Sequence, residues 1–291
     1  MGGTVGGIRL FSSALALAAA ALGAGCSGLD YSSAPGPGDP LVSAEDLALQ
    51  TAGVSLVRAA DYQVLRATGT INAGVTQYRA LLGIQNLNTA GEQPAGRREI
   101  NWDGASAALT NVDTFPKDFF NVKSPRGVLF STNGTGFRVS DNGYADLNTD
   151  YTGEFKAFSP SRLFIAAGSN TMDVTFVVAG SNTPALVTGF GAVFADVGHS
   201  AHSTITYYDA NGVALYTATA PVRSDATGLS FAGVVFDSPK VAHVRIVSGD
   251  APLSATTVDL SHGSGKLDLV ALDDFIYGEP HARAQAAGAQ E

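Results

Sequence analysis

The sequence predicts an all-β chain, an antiparallel β-sandwich, on three observations. Apolar residues recur at a period of two over most of the length after about residue 98. Gly, Pro, Asn, Asp or Ser bounds each of these runs, as turns between short strands require. No helical pattern separates consecutive runs, which excludes the βα alternation of a parallel sheet. Composition agrees, since only 15% of residues are charged and helix formers such as Glu and Lys are few.

Taken in order, the first element is a helix over "INAGVTQYRALLG" (71–83). Ile71, Val75, Tyr78 and Leu82 share one face, and Gly83 is placed as a stop. "EDLALQTAGVSLVRAA" (45–60) is read as a second short helix. The strands follow as "RGVLFST", "GFRVSD", "SRLFIAAGS", "MDVTFVVAG", "ALVTGFGAVFAD", "STITYYDA", "VALYTATA", "LSFAGVVFD", "VAHVRIVSG" and "KLDLVALDDFIYG". "YYDANGVALY" (207–216) predicts a tight hairpin with Asn211 and Gly212 as a two-residue turn, both at positive φ.

The two ends carry other signals. Residues 1–25 have one positive charge, Arg9, then an apolar run from Leu10 to Leu22 and small residues up to Cys26. The run is too short to span a bilayer as a helix and has the layout of a secretory signal. "LGAGC" resembles a bacterial lipobox, which implies cleavage before Cys26 and a lipid on its sulfur; plain secretion is the alternative. Residues 26–40 form a Gly/Pro/Ser tether, 41–280 a single sandwich domain with a helix-containing part at 41–95, and 281–291 a polar tail expected to be disordered. With one cysteine no intrachain disulfide exists, so the fold must rest on its core or on a metal.

A net charge of −9 and no basic run exclude a nucleic-acid surface. Catalytic motifs fail on inspection. "HSAH" (199–202) could place two imidazoles on one metal, but no Glu stands between them as the zincin pattern needs, and a solvated polar loop is the simpler account. "SHGSGK" (261–266) is neither a nucleophile elbow nor a P-loop. Calcium has better-motivated candidates. Asp146, Asn148 and Asp150 alternate in "DLNTDYTGE", with Glu154 following, although Tyr151 and Ala157 break the EF-hand pattern and turn formation explains the same residues.

"LVALDDFIYGEP" (269–280) sets the sharpest problem. Strand alternation sends Asp273 and Asp274 to opposite faces, so one carboxylate meets an apolar layer while the other reaches solvent or the sheet rim. The buried one is expected to be held by an arginine such as Arg126 or Arg98, by loop N–H groups, or by a calcium ion shared with Asp196, Asn101 or Asp103.

The order "GFGAVFADV", "YYDANGVALYTATA", "GLSFAGVVFDSPKVAHVRI", "ALDDFIYGEP", with "GRREINWDG" and "FFNVKSPRGVLFSTNGTGF" before it, resembles the galactose-binding-like jelly-roll domains of uncharacterised exported bacterial proteins. The resemblance covers roughly residues 70–280. It implies a jelly roll and a carbohydrate or structural calcium as ligand. Metal ligands are then expected from Asp273, Asp274, Asp196, Asp146, Asn148 and Asp150, the "GHSAH" loop after Asp196 being a departure. Trp102, the only tryptophan, stands between Asn101 and Asp103 and is the expected sugar-contacting residue. Together these features predict a monomeric, non-catalytic binding module of the cell envelope, lipid-anchored or secreted, that recognises carbohydrate or another extracellular polymer. The alternatives are a structural surface protein and a glycoside hydrolase with unassigned carboxylates.

If Cys26 carries a lipid, Cys26→Ala should shift the protein from the membrane fraction to the medium. Unchanged partitioning leaves plain secretion.

Overall fold

The computed structural model describes residues 53–199, 201–223, 228–261 and 267–283. The segments expected as signal and tether, Cys26, and most of the expected tail lie outside them.

Two strands precede the helix. Val54–Arg58 (β1) pairs antiparallel with Tyr62–Gly69 (β2), from Val54↔Ala67 to Arg58↔Gln63. The helix expected over 45–60 is therefore replaced by strand at 54–58; residues 45–52 lie outside the described ones. The reason is local, because Val54 and Leu56 fall on one side of an extended run and reach one apolar cluster. Asn72–Leu82 (α1) forms as expected and buries Val75, Tyr78 and Leu82. Gly83, at φ 93°, ends it in a conformation that other residues rarely adopt.

The remaining strands are Arg97–Ile100 (β3), Val128–Thr132 (β4), Gly136–Ser140 (β5), Leu163–Ala167 (β6), Thr171–Phe176 (β7), Ala185–Leu186 (β8), Gly189–Ala195 (β9), Thr204–Tyr208 (β10), Ala214–Thr219 (β11), Leu229–Phe236 (β12), His243–Val247 (β13), Ala271–Gly278 (β14) and His281–Ala282 (β15). Every segment read as a strand contains one. A four-residue helix, Phe119–Val122 (α2), lies before β4.

One sheet runs β1-β2-β12-β9-β14-β6-β5, with β3 also on β14; the second runs β11-β10-β13-β7-β4. From β6 onward the chain crosses repeatedly between them, the β10–β11 hairpin and the short β8 aside. It leaves β6-β14-β9-β12 in one sheet and β7-β13-β10-β11 in the other, the interlocked order of a jelly roll. The sandwich core lies between the sheets and is rich in Phe, with Phe130, Phe164, Phe190 and Phe275 among its members. A second apolar cluster occupies the other face of the larger sheet. There α1 supplies Val75, Tyr78 and Leu82, and the connection from β5 to β6 supplies Tyr144, Tyr151 and Phe155. The larger sheet is thus covered on both faces.

Two glycines explain how α1 sits so close. Gly191 of β9 and Gly233 of β12 are cross-strand partners. A Cβ at either would lie within 2.9 Å of the Tyr78 ring. The ring fills that trough, and its hydroxyl donates to the Val234 carbonyl at 3.0 Å.

The β10–β11 hairpin corrects the expected turn. Gly212 is at φ 78°, but Asn211 is not at positive φ, and the Gly212 N–H bonds to the Asp209 carbonyl. This is a three-residue loop, a β-turn followed by a left-handed glycine. The Asp209 carboxylate selects it by accepting the N–H groups of both Asn211 and Val213 at 2.8 Å. The tail also starts later than expected, since His281–Ala282 pair with β8.

Arg98 of β3 is fully buried beside Glu279, which follows β14. Two hydrogen bonds of 2.7 Å join them. The guanidinium also donates to the carbonyls of Leu87, Thr89, Gly91 and Pro125. Arg98 thereby ties the 84–96 loop and the segment before β4 to the central strand. Glu279→Ala strands this cation and should destabilise the protein by about 3–5 kcal/mol in urea unfolding; a loss under about 1 kcal/mol would contradict the assignment.

Candidate functional site

β14 carries one residue too many. Leu272 pairs with Phe194 of β9, but Phe275 pairs with Ala192, so three steps on β14 match two on β9. Leu272 and Phe275 both enter the inter-sheet core, which a regular strand could not arrange at that spacing. Asp273 and Asp274 fill the bulge and bond to groups of the outer layer. Both are buried, at 0% and 2% exposure, so the expectation that one reaches solvent is wrong. The bulge cancels the alternation on which it rested.

The two carboxyls bond each other and share Ser159. Asp273 accepts the N–H groups of Phe158 and Ser159 at 2.5 and 3.3 Å, and the Ser159 hydroxyl at 3.1 Å. Asp274 meets Arg79 of α1 at 3.3 Å. Arg79 also holds Glu99 by bonds of 2.7–3.1 Å. Loop N–H groups and an arginine are thus the partners, as two of the expectations had it, but the arginine is Arg79. Arg98 belongs to Glu279, and Arg126 donates to Asn88 and Ser124. The Asp273 carbonyl accepts the Trp102 indole N–H at 2.9 Å. Burial, then the charge of Asp274, pushes the Asp273 carboxyl up to about 9. Burial raises Asp274 as well, against the opposing pull of Ser159 and Arg79. The pair therefore keeps a proton at neutral pH.

The other predicted residues are dispersed. Trp102 is 1% exposed and stacks on Phe164 at 3.7 Å, with the edges of Phe120 and Phe275 around it. Its faces are occupied, so it is no sugar platform. Asn101 is exposed and Asp103 half-buried, each contributing a backbone carbonyl, to Ser159 and to Arg162. Asp146 pairs with Arg138. Asn148 caps a short 3₁₀ turn, accepting the Asp150 N–H and donating to the Thr257 carbonyl. Asp146 and Asn148 are thus engaged by Arg138, by the Thr257 carbonyl and by the turn's own Asp150 N–H.

Asp196 does gather neighbours, though not Asp273. It is buried at φ 72°, with Arg223 at 2.8 Å. Glu154 and Asp259 bring carboxylate oxygens so that all three lie within 4.8 Å of one another. Burial, followed by a hydrogen bond with Glu154, pushes the Asp196 carboxyl up to about 9. A retained proton and Arg223 thus offset two of the three charges. His199 and His202, at this same end, meet Asp250, which no sequence motif joins to them.

Among the described residues the outer face of the five-stranded sheet is left uncovered. Thr217, Thr206, Arg245, Asp173 and Ser131 stand opposite one another in a row across β11, β10, β13, β7 and β4. At about 4.8 Å per strand the row is roughly 19 Å long. Arg245 and Asp173 join through two bonds of 2.8 and 2.9 Å. The hydroxyls of Thr206 and Thr217 lie 3.1 Å apart. In the next row Tyr208 stacks flat on His243, with centroids 4.5 Å apart. Ser131 also borders a cleft of about 380 Å³ whose floor includes Phe115, Phe130 and Phe137. The signal for this face was present as the alternate polar residues of strands already recognised.

Scans against protein-family models and searches of curated proteins and of solved structures return no match.

The Asp273 proton has a thermodynamic consequence. Its folded pKa, about 9, exceeds the ordinary 3.8. The folded state thus binds the proton more tightly, and this contribution is complete below about pH 4 and lost as pH rises toward 9. Asp273→Asn should flatten the fall in stability across that window, as read from urea midpoints. Parallel curves for variant and wild type would show that Asp273 is ionised throughout.

Proposed function

We propose that the chain is an exported, non-catalytic binding module of the cell envelope that recognises carbohydrate or another hydroxyl-bearing extracellular polymer through the outer face of its five-stranded sheet. The observation that supports this is the polar row Thr217–Thr206–Arg245–Asp173–Ser131, left open where the opposite side of the sandwich is sealed by α1 and the β5–β6 connection. Hydroxyls, a paired guanidinium and carboxylate, and the Tyr208–His243 stack offer donors, acceptors and ring edges at a regular strand spacing. An extended polymer rich in hydroxyls matches such a surface better than a compact ligand does. The bulge pair itself does not fit a glycosidase, which needs two carboxyls facing each other across a cleft, because Asp273 and Asp274 are adjacent and buried.

Pull-down on insoluble polysaccharides, together with a glycan array, tests the proposal. Wild-type protein should be retained by at least one polymer, and Arg245→Ala and Tyr208→Ala should each weaken binding about tenfold. No retention by any polymer would favour a structural surface protein. Undiminished binding by both variants would move the contact elsewhere, the 380 Å³ cleft beside β4 being the next surface to test.

A further inference from the structure

The β9–β10 loop holds an arrangement that polymer recognition does not use. His199, His202 and Asp250 each present one ligand atom, and these atoms all lie within 4.8 Å of one another. The Nδ1 of His199 is 3.6 Å from one Asp250 oxygen, and the Nδ1 of His202 is hydrogen-bonded to the other. The two rings meet edge to face at 5.4 Å. Ala201, next to His202, sits at φ 69°, an uncommon conformation for a residue with a side chain.

The surroundings fix these groups in place. Asp268, fully buried before β14, accepts the N–H groups of Gly198 and His199 at 2.9 and 3.1 Å. Its own N–H donates to Asp250 at 2.9 Å. One residue therefore anchors both the loop that carries the imidazoles and the carboxylate they face. This is the supporting shell that metal ligands ordinarily have. Burial alone would raise the Asp250 carboxyl, but the Asp268 N–H and the two imidazoles outweigh it and hold the group lowered, hence ionised.

Neutral imidazole has one nitrogen with a lone pair. When that nitrogen is Nδ1, three lone-pair atoms converge here with one negative charge among them. A single proton satisfies one pair of these atoms, whereas a divalent cation satisfies all three. We propose that His199, His202 and Asp250 form a binding site for a borderline divalent transition cation of the zinc type. Two imidazoles and one carboxylate select such an ion over calcium, which prefers six or more oxygens. The half-exposed position leaves further coordination places to water. The bound ion would clamp the β9–β10 loop to the segment after β13.

Titration calorimetry of the untagged protein with zinc chloride tests the site, with calcium chloride in parallel. Wild type should bind one zinc ion per chain with saturation, and cobalt(II) should give the visible absorption of a low-symmetry nitrogen and oxygen site. His199→Ala and His202→Ala should each weaken zinc binding about tenfold or more, with the melting temperature of the metal-free variants unchanged. Zinc should raise the melting temperature of wild type, and calcium at equal concentration should not reproduce the rise. Absence of saturable zinc binding by wild type overturns the proposal. So does zinc binding that survives both substitutions.

Discussion

A strand in the middle of a covered sheet has no solvent side, and it can carry two adjacent carboxylates only by leaving the regular ladder. β14 does this by holding one extra residue between Leu272 and Phe275. The insertion keeps Leu272 and Phe275 in the same core and puts both aspartates where the outer layer can reach them. The layer is built to reach them. Phe158 and Ser159 come from the β5–β6 connection and Arg79 from α1, so the two elements that seal the sheet also supply the partners of its buried carboxyls. Burial without such partners would cost several kcal/mol for each charge.

The same strand organises the opposite flank. It pairs with β6 at Leu272 and with β3 from Phe275 onward, so the bulge marks the place where one neighbour hands over to the other. Beyond β3 the buried Arg98–Glu279 pair gathers carbonyls from loops that have no ladder of their own. The Arg98 guanidinium thus adds to the backbone bonds that Ile84 and Asn86 make with Arg97 on this side. With the larger sheet covered in this way, the outer face of the smaller sheet is the one left exposed among the described residues. That face and the His199–His202–Asp250 loop are carried by different elements, and a change at one need not disturb the other.

Much of the jelly roll was legible because its strands obey a period of two between turn formers, and α1 was legible from Val75, Tyr78 and Leu82. β1 was misread because "GVSLVR" is short enough for helix and strand patterns to coincide. The bulge left one trace, large apolar residues at 272 and 275, an odd spacing for a single face of a regular strand. Trp102 was judged by its polar neighbours, but at φ 65° it turns away from them into the core. Asp250 was out of reach for a different reason: 48 positions separate it from His202, and only the folded sheet brings them together.

Trp102 ends up as a built-in optical probe. It is the only tryptophan in the chain, and its indole N–H is bonded to the carbonyl of the first bulge residue while its ring lies on Phe164. Its tryptophan emission therefore reports on one place, the junction of β14 with β6 and β3. Loosening of the outer layer that spares that junction would leave the emission blue and quiet, and only opening of the junction itself would send it to the red.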